Sequence, residues 1–363
     1  LSQQVLDVLS VTLSAAKSPS ESPVPEPVAL DAPDDPLAFY EFALAKGWSD
    51  GHPVLAPMPA IVERMIGASG LHADDVVAQL PPRWGDATVR RIAANAAMAG
   101  CRPDYMPLLV AAVRAIAHPD FNLHGIQCTT NPVAPLLIVN GPIRKELGIE
   151  GGRGCFGPGF RANATIGRAM RLMLLNIGGG ITGETDKAIN GFPGKFGMCF
   201  GELEEESPWT PLHIDRGFKA SDSTVTVVGI QDATNILPML RQAESVLTWT
   251  ANALGLMGAN NVALGQGEPV VMLPPGHAKM LADQGYDKAK IQQALFEKAR
   301  IPLKDFPKEG NIPVGKWHIE GDYVCPTERW QDILVVVAGG PEPYHVQVLH
   351  NFGETRAITE RVG

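Results

Sequence analysis

The chain has 363 residues, and its 39 acidic and 30 basic side chains give a formal net charge of −9. At about 150 residues per domain, this length predicts two domains or one large α/β unit. With 45% hydrophobic and 19% charged residues, the composition is that of a globular protein that can build a sizeable core. The acidic balance, without a block of Lys or Arg, argues against nucleic acids and anionic membrane surfaces as partners.

Hydropathy and cysteine usage indicate the compartment. No apolar run of the sequence approaches the ~20 residues that a bilayer span needs, and no basic segment precedes an apolar one as in a secretory signal. The cysteines are odd in number, far apart and without a CxxC pair, which disfavours a structural zinc ribbon and favours reduced thiols. We therefore expect a cytoplasmic protein. The cysteines are Cys101, Cys128, Cys155, Cys199 and Cys325.

The first residues of the chain differ in character from the rest. In residues 1–16, Val5, Leu9 and Leu13 recur at helical spacing, which predicts a helix. Residues 17–36 are rich in Pro, Ser and acidic side chains and poor in large apolar ones, so we expect an extended arm. The helix on this tether either docks on a partner chain or is a frayed appendage.

The next region, residues 37–122, is predicted to be helical. Its periodic apolar segments end at glycines, and the small residues of the segment at 89–100 allow close packing of helices in the core. The predicted helices cover 36–46, 59–67, 72–79, 89–100 and a segment that begins at Asp104.

In residues 123–363, short apolar runs alternate with helical segments. This alternation predicts an α/β fold with a mainly parallel sheet and flanking helices, preceded by the helical N-terminal part and the extended N-terminal arm. Functional groups are expected beyond the carboxyl ends of the strands. The predicted strands are 135–142, 224–230, 269–275 and 332–340, and the predicted helices include 237–255 and 277–299. The polar residues near the strand ends are Asn140, Gln231, Asp232, His277 and His345.

The densest chemical signal lies in residues 151–171, GGRGCFGPGFRANATIGRAMR. Six glycines fall within 17 residues of this segment, and they lead into a predicted helix over 162–177. Glycines let the backbone approach a ligand, and a helix amino end attracts carboxylates and phosphates. The segment therefore predicts an anion-binding loop, although it matches neither a Walker loop nor a dinucleotide fingerprint. The alternative is a tightly packed loop whose arginines pair with the acidic stretch 202–206. The cationic side chains are Arg153, Arg161, Arg168 and Arg171, and the substrate-binding candidates are Arg153, Arg161, Asn163, Thr165, Asn140 and Arg168.

A second glycine-rich segment, residues 178–209, predicts a long functional or interface loop. Its Glu184, Asp186 and Lys187 could transfer protons or bind a metal. The adjacent Glu204 and Glu205 could do the same, and solvated surface positions are the alternative for each of these residues.

Three residues are candidates for catalysis. Cys155 lies within the glycine-rich loop beside arginines and a helix start, surroundings that lower a thiol pKa. Cys128 precedes the strand that ends at Asn140. His277 sits between a strand and a helix, where the helix amino end would lower its pKa and keep it available as a base. The alternatives are inert buried thiols and a structural histidine.

The histidines are dispersed, with no HExxH or HxH pair, so we assign no metal ligand. A divalent metal remains compatible with the sequence, because distant His and acidic groups can converge in a fold. The sequence requires no cofactor. The histidines considered are His118, His124, His213, His277 and His345.

The sequence resembles a known family in several motifs. These are GWSDGHP, AANAAMAGCRPDYMP, GIQCTTNPVAPLLIVNGPIRKELGI, GPGFRANATIGRAMRLMLLNIGG, ASDSTVTVVG and NFGETRAIT. The family consists of cytosolic bacterial catabolic proteins, largely uncharacterised, that are encoded beside small thiol or selenol proteins with a UGSC or CGSC motif. The resemblance spans residues 37–362, and it is most specific over 125–180. It implies an α/β fold and a hetero-oligomeric complex in which a partner supplies a reactive Cys or Sec. We also expect the chain to form a homo-oligomer.

Together these features favour a lyase-like or reductase-like enzyme subunit of small-molecule catabolism. We expect it to cleave a carbon–heteroatom bond of an anionic substrate with the participation of a thiol, its own or the partner's. One alternative is a metal-dependent hydrolase or hydratase that uses His and acidic ligands. Another is a non-catalytic scaffold whose N-terminal arm holds the catalytic chain.

Overall fold

The computed structural model describes residues 2–6, 29–307 and 316–363, and it confirms the α/β class. The helices are α1 (Pro36–Ala45), α2 (Pro59–Ser69), α3 (Val89–Ala99), α4 (Met106–Ala117), α5 (Leu123–Cys128), α6 (Ile143–Leu147), α7 (Arg161–Asn176), α8 (Leu212–Asp215), α9 (Ala243–Leu254), α10 (Asn260–Leu264), α11 (Pro275–Asp283) and α12 (Lys288–Lys298). The strands are β1 (Ser2–Leu6), β2 (Ala29–Pro33), β3 (Val76–Leu80), β4 (Gly85–Thr88), β5 (Ala134–Asn140), β6 (Met198–Gly201), β7 (Thr224–Ile230), β8 (Thr234–Ile236), β9 (Val270–Leu273), β10 (Ile301–Pro302), β11 (Ile319–Glu320), β12 (Tyr323–Val324), β13 (Leu334–Val337), β14 (Val346–Leu349) and β15 (Ile358–Arg361).

Two four-stranded sheets form the centre of the molecule. Their strand orders are β15-β7-β5-β6 and β13-β9-β14-β8. In each sheet one pair is parallel, β5 with β6 and β9 with β13, and the other pairs are antiparallel. The prediction of a mainly parallel sheet is therefore wrong, and both sheets are mixed. The alternation of strands and helices does not establish parallel pairing, because a strand can also pair with an antiparallel neighbour that needs no helical crossover. One example is β14, which β13 reaches through a loop.

In both sheets a central strand has one parallel neighbour and one antiparallel neighbour. Leu136 on β5 pairs with Met198 on its parallel neighbour and with Val228 on its antiparallel neighbour. Val270 on β9 pairs in the same way with Leu334 and Leu349. In the first unit α7 lies between the parallel strands in the chain, and in the second α11 and α12 do. The two sheets thus share one strand topology.

The two units exchange their last strands. β8 follows β7 in the chain but pairs with β14, whereas β15 follows β14 but pairs with β7. At the crossing, Gln231 N donates to His350 O (3.0 Å) and Phe352 N donates to Gly229 O (2.8 Å). These bonds tie the two units together, so each sheet is complete only with a strand from the other unit.

Alternating side chains on the strands produce four layers. Leu136 and Ile138 point into the core between the sheets, while Leu137 and Val139 face the helices that include α3, α4 and α7. The second sheet follows the same rule, with its outer face packed on α9, α11 and α12. The layers follow the order helices, sheet, sheet, helices. Because both faces of each central strand are covered, the sequences of these strands are continuous apolar runs.

Several elements differ from the sequence-based prediction. The predicted helix over 72–79 is wrong, because β3 forms there and pairs antiparallel with β4. The predicted helix over 1–16 is wrong at residues 2–6, which form β1 paired with β2. The rest of that segment, and most of the arm 17–36, lies outside the described residues. The helix predicted over 277–299 is two helices, separated near Gly285 with its φ of +84°.

Helix α7 is confirmed almost to its predicted ends, and it packs closely on the start of β6. A Cβ atom on Gly167 would lie 2.8 Å from Met198 N, and one on Gly197 would lie 2.4 Å from Gly167 C. Gly197 also has a φ of +137°. Two glycines are therefore required where the helix meets the loop before β6, and this contact forms one wall of the candidate site.

Candidate functional site

At the carboxyl end of β5, Asn140 belongs to a buried polar network. Its Nδ2 donates to Glu202 Oε2 (2.7 Å) and Glu204 Oε1 (3.0 Å). Arg144 pairs with Glu204 (3.0 Å) and with Glu205 (2.9 Å). Complete burial raises the pKa of Glu202. The acidic stretch that was expected to pair with the glycine-loop arginines is thus occupied by Arg144, and Asn140 is held by these acids.

His277 lies where the sequence predicts it, in the first turn of α11 directly beyond β9, and it is fully buried. Its Nε2 is 3.1 Å from Pro238 O, and its Nδ1 has no hydrogen-bond partner among the described residues. Burial lowers its pKa, with a smaller effect of His345, so the ring is neutral. The cause is desolvation, whereas the sequence argument invoked the helix amino end.

The amino end of α7 is fastened by its own side chains. Buried Asn163 accepts from Glu150 N (2.9 Å) and donates to Glu150 O (3.0 Å) and Cys155 O (2.9 Å). Arg161 donates twice to Gly100 O, at 3.1 and 3.0 Å. Thr165 Oγ1 donates back to Arg161 O within the helix (2.8 Å). Asn163 thus holds the glycine-rich loop on α7, and Arg161 holds the start of α7 against the end of α3.

Two of the remaining three arginines of this segment, Arg153 and Arg168, are paired with acids from distant parts of the chain. Exposed Arg153 forms a salt bridge with Glu342. Arg168 makes two bonds to Asp50, at 3.1 and 2.8 Å, and the Asp50 side chain is only 1% exposed. Burial alone would raise the pKa of Asp50, but the hydrogen bond and charge of Arg168 hold it below its ordinary value.

The cysteines differ in exposure. Cys155 is buried between the two sheets, and burial, with a smaller effect of Glu150, raises its pKa to about 11. Cys101, Cys199 and Cys325 are buried as well, and Cys128 alone is partly exposed. Burial and the Asp186 carboxylate raise the pKa of Cys128. Each thiol is therefore protonated at neutral pH, and only Cys128 is open to a small molecule.

A small pocket lies beside α7, at the opposite end of β5 from Asn140, and the space inside it that the centres of water-sized molecules can reach is about 20 Å³. Residues at the start of β5 and in the loop that precedes β6 contribute to its lining. A single water molecule needs about 10–15 Å³ on this measure, so the pocket admits only a small guest unless its walls move. The polar lining residues are Gln127, Arg171 and Lys195, and the apolar ones include Val133, Met170 and Leu174.

The charges at this pocket do not balance. Lys195 Nζ lies 2.6 Å from an Asp186 oxygen, and the Asp186 side chain is only 2% exposed. Arg171 donates a hydrogen bond to Gly180 O (3.2 Å). Two acids, Asp50 and Asp186, are close enough for their charges to act on Arg171. Each of these acids already forms a salt bridge, Asp50 with Arg168 and Asp186 with Lys195. Two cations thus face one carboxylate. Within the part of the chain that the structure describes, Arg171 forms no salt bridge, and a half-buried guanidinium without an acidic partner favours an anionic ligand with two oxygens.

Lys195 carries a second feature of chemical interest. Burial lowers its pKa, Asp186 opposes that shift, and Arg171 adds to it. Cys128 is the last residue of α5 and directly follows the pocket residue Gln127. An anion receptor, a lysine shifted toward neutrality and a protonated thiol therefore belong to one part of the molecule.

Sequence reasoning found part of this group. It named Arg171 within the cationic segment, Asp186 as a proton-transfer candidate and Cys128 as a thiol candidate. It missed Gln127 and Lys195, because a glutamine on a short helix and a lysine in a glycine-rich loop carry no local signal. Of the other acids, Glu184 forms a salt bridge with Arg83 at the surface.

Comparison of the sequence with protein-family models and with curated proteins found no match. The family resemblance stays a prediction. None of the helices in the described residues has the length and apolar character that crossing a bilayer requires.

Proposed function

We propose that the chain is an enzyme subunit that binds a small anionic substrate in the pocket beside α7. The observation that carries this proposal is Arg171, a guanidinium that lines a pocket while its acidic neighbours are engaged by other cations. The planar fork of an arginine matches a carboxylate with two parallel hydrogen bonds. The apolar wall of Val133, Met170 and Leu174 suits a short carbon chain attached to that carboxylate.

The chemistry that these groups support best is an elimination that breaks a carbon–heteroatom bond. Lys195 first releases its ammonium proton to solvent, and its neutral amine then accepts the proton from the carbon next to the carboxylate, while the electron pair of that C–H bond forms the new double bond. The heteroatom leaves with the electrons of its bond to carbon and takes the proton of the Cys128 thiol. Proton transfer from Lys195 to the thiolate then restores both groups, so no further reactant is needed. The raised pKa keeps the Cys128 thiol protonated at neutral pH, so that its proton is present when the heteroatom leaves.

The cellular setting follows from the same hypothesis. We propose a cytoplasmic protein of small-molecule catabolism that forms a homo-oligomer and a complex with a thiol or selenol partner. In that complex the partner's Cys or Sec could replace Cys128 as the reacting group.

A thermal-shift experiment tests the binding step. The chain is heated with formate, acetate, oxalate, malonate or succinate, alongside the Arg171→Gln and Arg161→Gln variants. At least one carboxylate should raise the unfolding midpoint of the unmodified chain and of Arg161→Gln. Loss of a charged hydrogen bond costs about 1.5–3 kcal/mol, so Arg171→Gln should bind that carboxylate about tenfold to a hundredfold more weakly. A full shift in Arg171→Gln, or no shift with any carboxylate, would contradict the proposal.

A further inference from the structure

The second group of interest lies outside the pocket lining, in the small sheet formed by β10, β12 and β11. In the hairpin, Ile319 on β11 pairs with Val324 on β12, which makes His318 and Cys325 the next opposed pair. Cys325 N donates to His318 O at 2.8 Å, as this register requires. Opposed residues project from the same face of a sheet, and so do residues two apart on one strand. His318, Glu320 and Cys325 therefore share one face.

The distances between the side-chain atoms agree with this placement. One nitrogen of His318, one carboxylate oxygen of Glu320 and the sulfur of Cys325 all lie within 4.8 Å of one another. His318 Nε2 and Glu320 Oε1 are 3.3 Å apart. Zinc bonds of about 2.0–2.3 Å place the ligand atoms of a tetrahedral ion less than about 4 Å apart. Small side-chain rotations would therefore bring the three atoms to bonding distance.

The donor types also agree with one class of metal. An imidazole nitrogen, a thiolate and a carboxylate oxygen together suit borderline ions such as Zn²⁺ or Co²⁺, whereas Mg²⁺ and Ca²⁺ require oxygen ligands. Cys325 is buried and Glu320 is exposed, so an ion could enter from the surface. Three protein ligands would leave the fourth position of a tetrahedral ion to water.

A neighbouring cation sets the strength of such a site. Arg300 directly precedes β10, whose Ile301 pairs with Val324 on the other side of β12. Its guanidinium lies 3.6 Å from Glu320. This charge favours the thiolate but repels a metal ion and competes for the carboxylate. Its removal should therefore strengthen metal binding.

We infer that His318, Glu320 and Cys325 bind one divalent ion of the Zn²⁺ class on the face of the β11–β12 hairpin. The ion links the two strands of this hairpin across their ladder. This site is independent of the pocket beside α7, since it shares no residue with it.

Cobalt titration of the chelator-treated full chain tests the inference. One equivalent of Co²⁺ should produce a sulfur-to-cobalt charge-transfer band and visible bands of tetrahedral intensity, and Zn²⁺ should abolish them. Half-exposed His318 can be changed without opening the core, and His318→Gln should weaken Co²⁺ binding by at least about tenfold. His118→Gln is the matched control, because His118 also lies near an acid, Asp120 (3.9 Å). It should leave binding unchanged.

Two further variants sharpen the test. Cys325→Ser should remove the charge-transfer band, and Arg300→Gln should tighten Co²⁺ binding. The inference is overturned if one equivalent of Co²⁺ gives no charge-transfer band, or if the band survives in Cys325→Ser. Equal Co²⁺ affinities of His318→Gln and the unmodified chain would overturn it too.

Discussion

The two ends of the cationic segment around α7 look alike in the sequence and differ in the folded chain. At the amino end, Arg153, Arg161 and Arg168 are held by Glu342, Gly100 O and Asp50. One turn further along, Arg171 faces a pocket while the nearest acids are paired with other cations. A helix amino end and a cluster of arginines therefore do not suffice to define an anion site. The deciding factor is which guanidinium the rest of the chain leaves without a carboxylate.

The largest contrast is expected between the reactivities of two thiols, one in the glycine-rich loop at the amino end of α7 and one beside the pocket. Cys155, in the glycine-rich loop, is buried with its pKa raised to about 11, whereas Cys128 beside the pocket is partly exposed. A buried thiol reacts only when the chain opens, which at a free energy of about 5 kcal/mol slows labelling by a factor on the order of a thousand or more. Iodoacetamide followed by mass spectrometry should find Cys128 labelled first. Equal rates for Cys155 and Cys128 would remove the distinction.

The next effect concerns stability at the amino end. Arg168→Gln leaves the buried Asp50 carboxylate without its cation, which should lower the free energy of unfolding by on the order of 3 kcal/mol. Urea denaturation measures this loss, and the exposed Arg64→Gln is the control. Because Arg168 holds the pKa of Asp50 low in the folded chain, this contribution is present above the ordinary carboxylate pKa and lost as the pH falls below it. In the variant, the free energy of unfolding should therefore fall less steeply as the pH is lowered. The same steepness in the variant and the unmodified chain would argue against a buried pair.

A smaller effect is expected from charge removal at the pocket. Asp186→Asn leaves Lys195 and Arg171 without the carboxylate that now offsets them. Affinity for the carboxylate identified by thermal shift should rise by about tenfold, on the order of one charged interaction. Isothermal titration measures it, with the exposed neighbour Glu184→Gln as control. Identical affinities in both variants would show that Asp186 does not face the bound anion.

The smallest effect is expected at Arg161. Its bonds to Gly100 O are exposed, so Arg161→Gln should cost about 1 kcal/mol of stability or less. The affinity of the Arg161→Gln variant for the carboxylate should equal that of the unmodified chain. A large loss of affinity in this variant, measured by the same titration, would return the anion site to the amino end of α7.

Prediction from the sequence succeeded where the signal is local. Helix α7 and strands β5 and β7 are long, and their apolar patterns and glycine stops lie within a few residues. The four residues of β6 were missed because they lie inside a glycine-rich segment and pair only with β5, about sixty residues earlier. The helix predicted over 72–79 is a strand because its partner β4 overrides the local pattern. The shared topology of the two sheets and the exchange of β8 and β15 depend on strand pairing between distant residues, which carries no local signal.

The candidate site shows the same limit. The sequence identifies Arg171, Asp186 and Cys128 as chemically capable groups, since their types are visible. It does not reveal that Asp50, more than a hundred residues before Arg168, pairs with that arginine. As a result, Arg171 has no carboxylate partner among the residues that the structure describes. Pairing of charges across the chain depends on tertiary contacts, so the choice between four arginines needed the structure.

The most direct test of the account is to locate a bound anion. Anomalous diffraction from crystals soaked in sodium bromide reveals bromide without assumptions about the substrate. We predict a bromide ion in contact with the Arg171 guanidinium inside the pocket, and its loss in Arg171→Gln crystals. Bromide at the amino end of α7, with none beside Arg171, would contradict the account.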